Sequence, residues 1–152
     1  MSLPAQGIQC GTLNLAFPYA WAKSIVEDFH LTPVPNAPAW LIGAANVEGE
    51  IVPVFDLASW AAAGEPDATT AAPVATRTRL LIGGQGGDRA AIVFSGSARM
   101  VRYVPAGPSV ADLDALPARL RSVVLARSEA DPPHWVADGP RLFDQLANDL
   151  AS

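Results

Sequence analysis

This chain has few reactive or charged side chains. One cysteine, Cys10, excludes an internal disulfide and suits a reducing compartment. Two histidines, His30 and His134, stand far apart and far from Cys10, so metal-ligand spacing is absent. Charged residues make up 16% of the chain, against about 25% in ordinary domains. The only lysine is Lys23, the arginines are scattered, and the net charge is −5. Binding to nucleic acid needs clustered cations to neutralise phosphates, so that class is excluded. No apolar run approaches the roughly 20 residues of a membrane span, which argues against direct membrane insertion. The opening MSLPAQGIQC lacks the basic-then-apolar pattern of a signal peptide. A soluble, cytoplasmic protein is expected.

What remains is apolar and rich in turn signals. With 152 residues and 50% hydrophobic content, the chain can bury one sizeable core. Residues 8–17, IQCGTLNLAF, place Leu13, Leu15 and Phe17 on one face of a strand, with a turn at Pro18–Tyr19. In KSIVEDF, residues 23–29, the pair Ile25–Val26 favours a strand. LTPVPNAP is rigid and extended, because each proline fixes its own φ and restrains the residue before it. Trp40–Val47 and Ile51–Phe55 read as paired strands around Glu48–Gly49. Pro53 cannot donate to a ladder and places the second of them at an edge or a bulge. Asp56 reads as the cap of a short helix, LASWAAA, ended by Gly64.

Residues 64–76, GEPDATTAAPVAT, are the linker candidate. Strands are expected at 79–83, 90–95 and 99–104, helical turns within 109–121, and a strand near 122–127. From Asp138 to Ala151, Leu142, Phe143, Leu146 and Leu150 mark one face of a helix, and Pro140 suits its first turn. The expected fold is mainly β, as two small barrels or one compound sheet.

Reaction chemistry is missing from the motifs. GGQGGDR leads into the strand RAAIVF, whereas a phosphate loop leads into a helix. Ser95 lacks the G-x-S-x-G context of a hydrolase elbow, and SGS reads as a turn. His30 and His134 read as ordinary surface or rim histidines with no positioned nucleophile. The pairs Glu27/Asp28 and Asp112/Asp114 read as solvated faces. No catalytic, cofactor or metal residue is assigned.

One segment is specific. TPVPNAPAWLIGAANVEGEIVPVFDL, about 26 positions, resembles the CheW-like family of coupling proteins in chemotaxis and twitching arrays. Thr32 to Pro38 match its pattern, as do Gly43, Asn46, Gly49, Pro53, Val54, Asp56 and Leu57. More loosely, RTRLLIGGQGGDRAAIVFSGSARMVRYVP resembles the family's second-half hairpin and RLFDQL its closing segment.

The resemblance implies two SH3-like five-stranded β-barrels packed together, with short helices and a C-terminal helix. The subdomains would be about 8–63 with the C-terminal segment and about 77–135. It also implies a non-enzymatic adaptor between a CheA-type histidine kinase and a methyl-accepting receptor. The partner-binding residues expected from it are Lys23, Ser24, Val34, Pro35, Asn36, Pro38, Asn46, Val47 and Glu48. Two positions depart from the pattern. Glu48 stands where the family commonly has Arg, and Ser24 where it commonly has Glu. Lys23 is a candidate basic partner for Glu48, although adjacent strand residues face opposite sides. The departures point to a specialised array, or else to a diverged binding module with other partners or a decoy role. A small β-barrel enzyme would need a polar pocket holding His30 or His134 beside a carboxylate.

Overall fold

The computed structural model describes residues 1–65, 78–128 and 132–151; for Lys23 the description covers the backbone alone. The strands are β1 (Leu3–Cys10), β2 (Leu13–Pro18), β3 (Ala22–Val26), β4 (Leu31–Thr32), β5 (Leu41–Val47), β6 (Glu50–Phe55), β7 (Thr78–Gly83), β8 (Ala90–Tyr103), β9 (Val124–Arg127) and β10 (Trp135–Ala137). The helices are α1 (Leu57–Ala63), α2 (Val110–Asp114) and α3 (Gly139–Ala151). Most of the expected linker, residues 66–76, lies outside the described residues.

The strands form two barrels joined through one long strand. The first half of β8 pairs with β7 and β6, and that barrel continues to β3 on one side and to β5 and β4 on the other. The second half of β8 pairs with β1, followed by β2, β10 and β9. This partition differs from a division at residues 64–76. β1 and β2 pair with late strands, while β3 to β6 share a barrel with β7.

Two local readings change for the same reason. IQCGTLNLAF is a hairpin and not one strand, because Gly11 (φ 62°) turns the chain between Cys10 and Leu13. SGS is not a turn. β8 runs through it, with Gly96 at φ 75° where the register against β1 shifts between Gly7 and Gln9. Ser95 is the last residue paired with β7 and the first paired with β1, so the bend transfers β8 between barrels.

Each barrel has its own core, and a third core lies between them. Val47, Val52, Val54, Leu80, Ile82 and Val93 fill the first barrel. The smaller set Ala5, Ala16, Val101, Tyr103, Ala126 and Val136 fills the second. The largest cluster joins the outer faces of both to α1 and α3 through Phe17, Trp21, Phe55, Trp60, Leu142 and Leu146. The spacing of Leu142 and Leu146 forms the buried stripe of α3, as the sequence indicates, whereas Leu150 is exposed. In α1, Asp56 accepts a hydrogen bond from Ser59 N at 3.2 Å, and Leu57 and Trp60 are buried.

Trp21 locks this arrangement. Its ring lies against Phe17 (centroids 5.1 Å apart) and edge-on to Phe143 (4.7 Å). A Cβ at Gly83 or at Gly139 would overlap the indole, so both positions need glycine for close approach. Gly139→Ala therefore sets two effects against each other. Helix propensity favours alanine by up to about 1 kcal/mol. Overpacking against a fixed ring costs about 1–3 kcal/mol. Urea unfolding should show net destabilisation; an unchanged or raised midpoint would mean that Trp21 is not held this way.

Candidate functional site

The proline segment is an exposed loop with buried anchors. Pro35 fixes φ at one turn position and Asn36 (φ 60°) supplies the positive φ of the next, as a type II turn requires. Gly43 cannot carry a side chain, since its Cβ would lie 2.9 Å from the carbonyl oxygen of Thr32. At the far end of the loop, Pro38 O accepts from Leu41 N (3.0 Å) and Trp40 O from Asp56 N (2.8 Å). Trp40 is buried and stacked on Phe55, with centroids 6.1 Å apart. Val34, Pro35 and Asn36 are exposed, and Pro38 is half-buried.

The β5–β6 hairpin turns through Glu48 (φ 53°) and Gly49 (φ 85°), the two positive φ values of a type I′ turn. Asn46 lies in the strand. Its Oδ1 accepts from Gly49 N at 3.0 Å, so it caps the turn. Glu48 is exposed at the tip, and Glu50 beside it pairs with Arg89 at 3.0 Å. Val47 is only 3% exposed and fills the barrel core, so its side chain is not available for docking. Ile51, which no sequence pattern singled out, is 69% exposed on the same hairpin. The strand holding Pro53 is not an edge, because β6 pairs on both sides. Its pairing with β8 covers only Val54 and Phe55, and Pro53 stands just outside it.

Strand direction separates the hairpin residues Asn46, Val47 and Glu48 from the proline loop. β3 begins, β7 ends, β8 begins and the β5–β6 hairpin turns at one end of the first barrel. Glu48 stands at that end, whereas Lys23 and Ser24 lie within β3, Lys23 at a register shift between Ala22 and Ser24, and the register runs from Ser24 through Ile82, Ala91 and Val54 to Gly43. The loop with Val34, Pro35, Asn36 and Pro38 follows β4 at the other end, separated by the seven residues of β5, about 20 Å.

His30 lines an open groove with Glu27, Asp28 and Arg79. This is the combination of histidine and carboxylate that an enzyme reading requires. Glu27, however, is paired with Arg79 at 2.9 Å, and among the described residues the only hydroxyl lining the groove is that of Thr78. His134 is not a surface residue; it is 4% exposed. His134 N donates to the Ser128 hydroxyl Oγ and Ser128 N donates to His134 O, each at 2.8 Å, between β9 and β10.

The His134 ring sits over Gly7, with Nδ1 3.0 Å from Pro132 O. Burial pushes its pKa below the ordinary histidine value; the Pro132 carbonyl opposes this and the Arg99 cation adds to it. Cys10 is buried, and burial with the nearby Asp56 carboxylate holds its thiol far above the ordinary range. GGQGGDR forms a short 3-10 turn at Gly86–Asp88 that joins β7 to β8. Asp112 does structural work. With Ser109 it forms a capping box on α2, a signal present in the sequence as S-x-x-D. Among the described residues no cluster of His, Cys, Asp or Glu could hold a metal, and no helix is long and apolar enough to cross a membrane.

The site is thus a set of rigid, exposed turns on a two-barrel β domain. Residues 6–126 match the CheW-like domain, and the chain belongs to the CheW-like family. Protein FrzA of Myxococcus xanthus is 32% identical over 93 residues, covering 59% of this chain and 54% of that protein. The chain therefore spans about half the length of this relative. The fold is also that of the scaffolding protein TtCheW from Thermoanaerobacter tengcongensis, whose crystal structure superposes with a TM-score of 0.67 over 91% of this chain and 90% of the other at 15% identity. The mainly β, two-barrel architecture implied by the sequence resemblance is the one observed.

Two measurements check the local physics. Glu48→Asn creates the Asn-Gly pair that a type I′ turn prefers, and should raise stability by roughly 0.5–1 kcal/mol in urea unfolding. No gain would contradict the positive φ at this position. For His134, the folded state refuses a proton that the unfolded chain accepts. Its contribution is constant above about pH 6.5 and is lost as pH falls below that value. The unfolding midpoint should drop from pH 7.5 to pH 5.5, and His134→Gln should flatten that slope; an equal slope in the variant would remove the assignment.

Proposed function

We propose that this protein is a non-enzymatic coupler that works in the cytoplasm, binding a CheA-type histidine kinase and a methyl-accepting receptor in one assembly. The observation that carries this reading is the contrast between its exposed and buried parts. The exposed turns at Val34–Asn36 and at Glu48 are fixed by prolines, positive φ values and the Asn46 cap, so docking on them costs little ordering entropy. Among the described residues, Cys10 and His134 are buried, and Glu27 beside His30 is paired with Arg79. A bridge also needs more than one surface. Apolar side chains stand exposed on the first barrel at Val34 and Ile51, and on the second at Met100 (51%) and Val104.

Glu48 bears on partner choice. Its carboxylate projects from a turn whose geometry does not depend on it, and a charge at such a position alters specificity more than fold. The family pattern has Arg there, so the coupler serves a specialised array, such as one for pilus motility or surface sensing. A tagged pull-down from gentle lysate of the native host, with bound proteins identified, tests both claims. Recovery of the kinase and the receptor supports the coupler. Recovery of neither by a folded protein removes it and leaves the diverged module or decoy. Glu48→Arg should lower recovery of the native partners several-fold; unchanged recovery makes the charge incidental.

A further inference from the structure

Arg102 is a positioned cation without an anion. Its Nε donates to the Ser2 hydroxyl at 2.9 Å and its Nη2 to the Ser2 carbonyl at 3.0 Å. Both acceptors are neutral, and among the described residues Arg102 is in no ion pair. The five strands β1, β2, β8, β9 and β10 that build its barrel contain no aspartate or glutamate, in a chain of net charge −5. Arg121 and Arg141 also bond carbonyls, but they lie outside the sheet.

The surroundings of Arg102 are apolar. Val101 and Tyr103 are buried in the second barrel, so the alternation of the strand sends Met100, Arg102 and Val104 to its outer face, where all three are exposed. In register, Met100 stands opposite Gln6 and Arg102 opposite Pro4 of β1. Gln6 in turn stands opposite Phe17, which belongs to the central core, so the exposed stripe begins where that core ends. Tyr19, also exposed, follows β2, and its backbone N donates to Pro4 O at 3.4 Å. Asp112, the acid that lines a cleft with Val104, is already engaged, capping α2 and facing Arg127.

We propose that this outer face of the second barrel docks a segment of a partner protein that presents a carboxylate side chain between apolar ones. The carboxylate accepts from the N–H groups that Arg102 does not spend on Ser2, and its apolar neighbours cover Met100, Val104 and Pro4. Two hydrogen bonds already hold the guanidinium, so little rotamer freedom is lost when the anion arrives. A charge-assisted bond of this kind gains strength as the flanking apolar contacts exclude water. Nucleic acid or an anionic membrane would call for a row of cations, and here a single one stands among apolar groups. The inference rests on the coupling reading only for the identity of the partner.

The test uses the isolated protein, so its failure is distinct from failure of partner capture. Amide and methyl NMR shifts are followed during titration with a blocked leucine–glutamate–leucine peptide, its glutamine counterpart and blocked glutamate alone. Saturable shifts at Gln6, Met100, Arg102 and Val104 are expected with the glutamate peptide. The glutamine peptide should bind roughly fivefold more weakly, and blocked glutamate more weakly than the peptide. Arg102→Gln, which keeps a donor for Ser2, should remove the preference for glutamate over glutamine, and Arg102→Lys should retain it. Equal binding of the two peptides to the native protein, shifts mapping elsewhere, or no saturable shift overturns the site. Blocked glutamate as tight as the peptide overturns the protein segment and leaves a site for a small anion. Sedimentation with phosphatidylglycerol vesicles, without binding of the peptide, overturns it in favour of a lipid surface.

Discussion

The clamp on Trp21 is the constraint on which the rest of this structure depends. One indole meets the end of β7 at Gly83 and the start of α3 at Gly139, with Phe17 of the second barrel on one side and Phe143 on another. It thereby ties both barrels and the terminal helix to a single point. The aromatic contacts continue from Phe143 to Phe55 and from there to Trp40, which anchors the proline loop. An exposed loop placed by a buried ring needs little further ordering when a partner arrives. A second anchor stands at the other end of α3. There Trp60 donates to Asp149 at 2.7 Å, and Arg119 donates to the Trp60 carbonyl at 2.9 Å.

A division of labour follows. Interior positions hold large apolar groups and glycines that permit close approach, while the turn at Glu48 holds an exposed charge. Glu48 illustrates this. The positive φ values of Glu48 and Gly49 and the Asn46 cap set the shape of the hairpin, so the side chain at 48 is available to set the sign of a contact. Val47, one residue earlier, belongs wholly to the core. The last strand residue thus packs inward while the first turn residue projects outward.

Local chemistry was legible in the sequence, and pairing across long distances was not. The α1 cap at Asp56, the stripe of α3 and the turn at Glu48–Gly49 each depend on residues within a few positions of one another, and each could be read. By sequence the hairpin of β1 and β2 reads as one strand, because Gly11 and Thr12 are a weak turn signal and β1 alternates poorly. By sequence β8 divides in two, because Gly96 looks like a turn when the flanking partners β7 and β1 are unknown. The burial of His134 depends on β1 passing across it at Gly7, more than a hundred positions earlier. The expected docking residues come from pattern, whereas the separation of Glu48 from the proline loop comes only from strand direction.

Coupling requires that one molecule hold two partners at once. Sedimentation of the purified protein with its own organism's CheA-type kinase and a soluble receptor fragment tests it most directly. The account predicts a ternary species that forms only when all three are present and contains each in fixed ratio. Mutual displacement of kinase and receptor, or binding of neither, would contradict it.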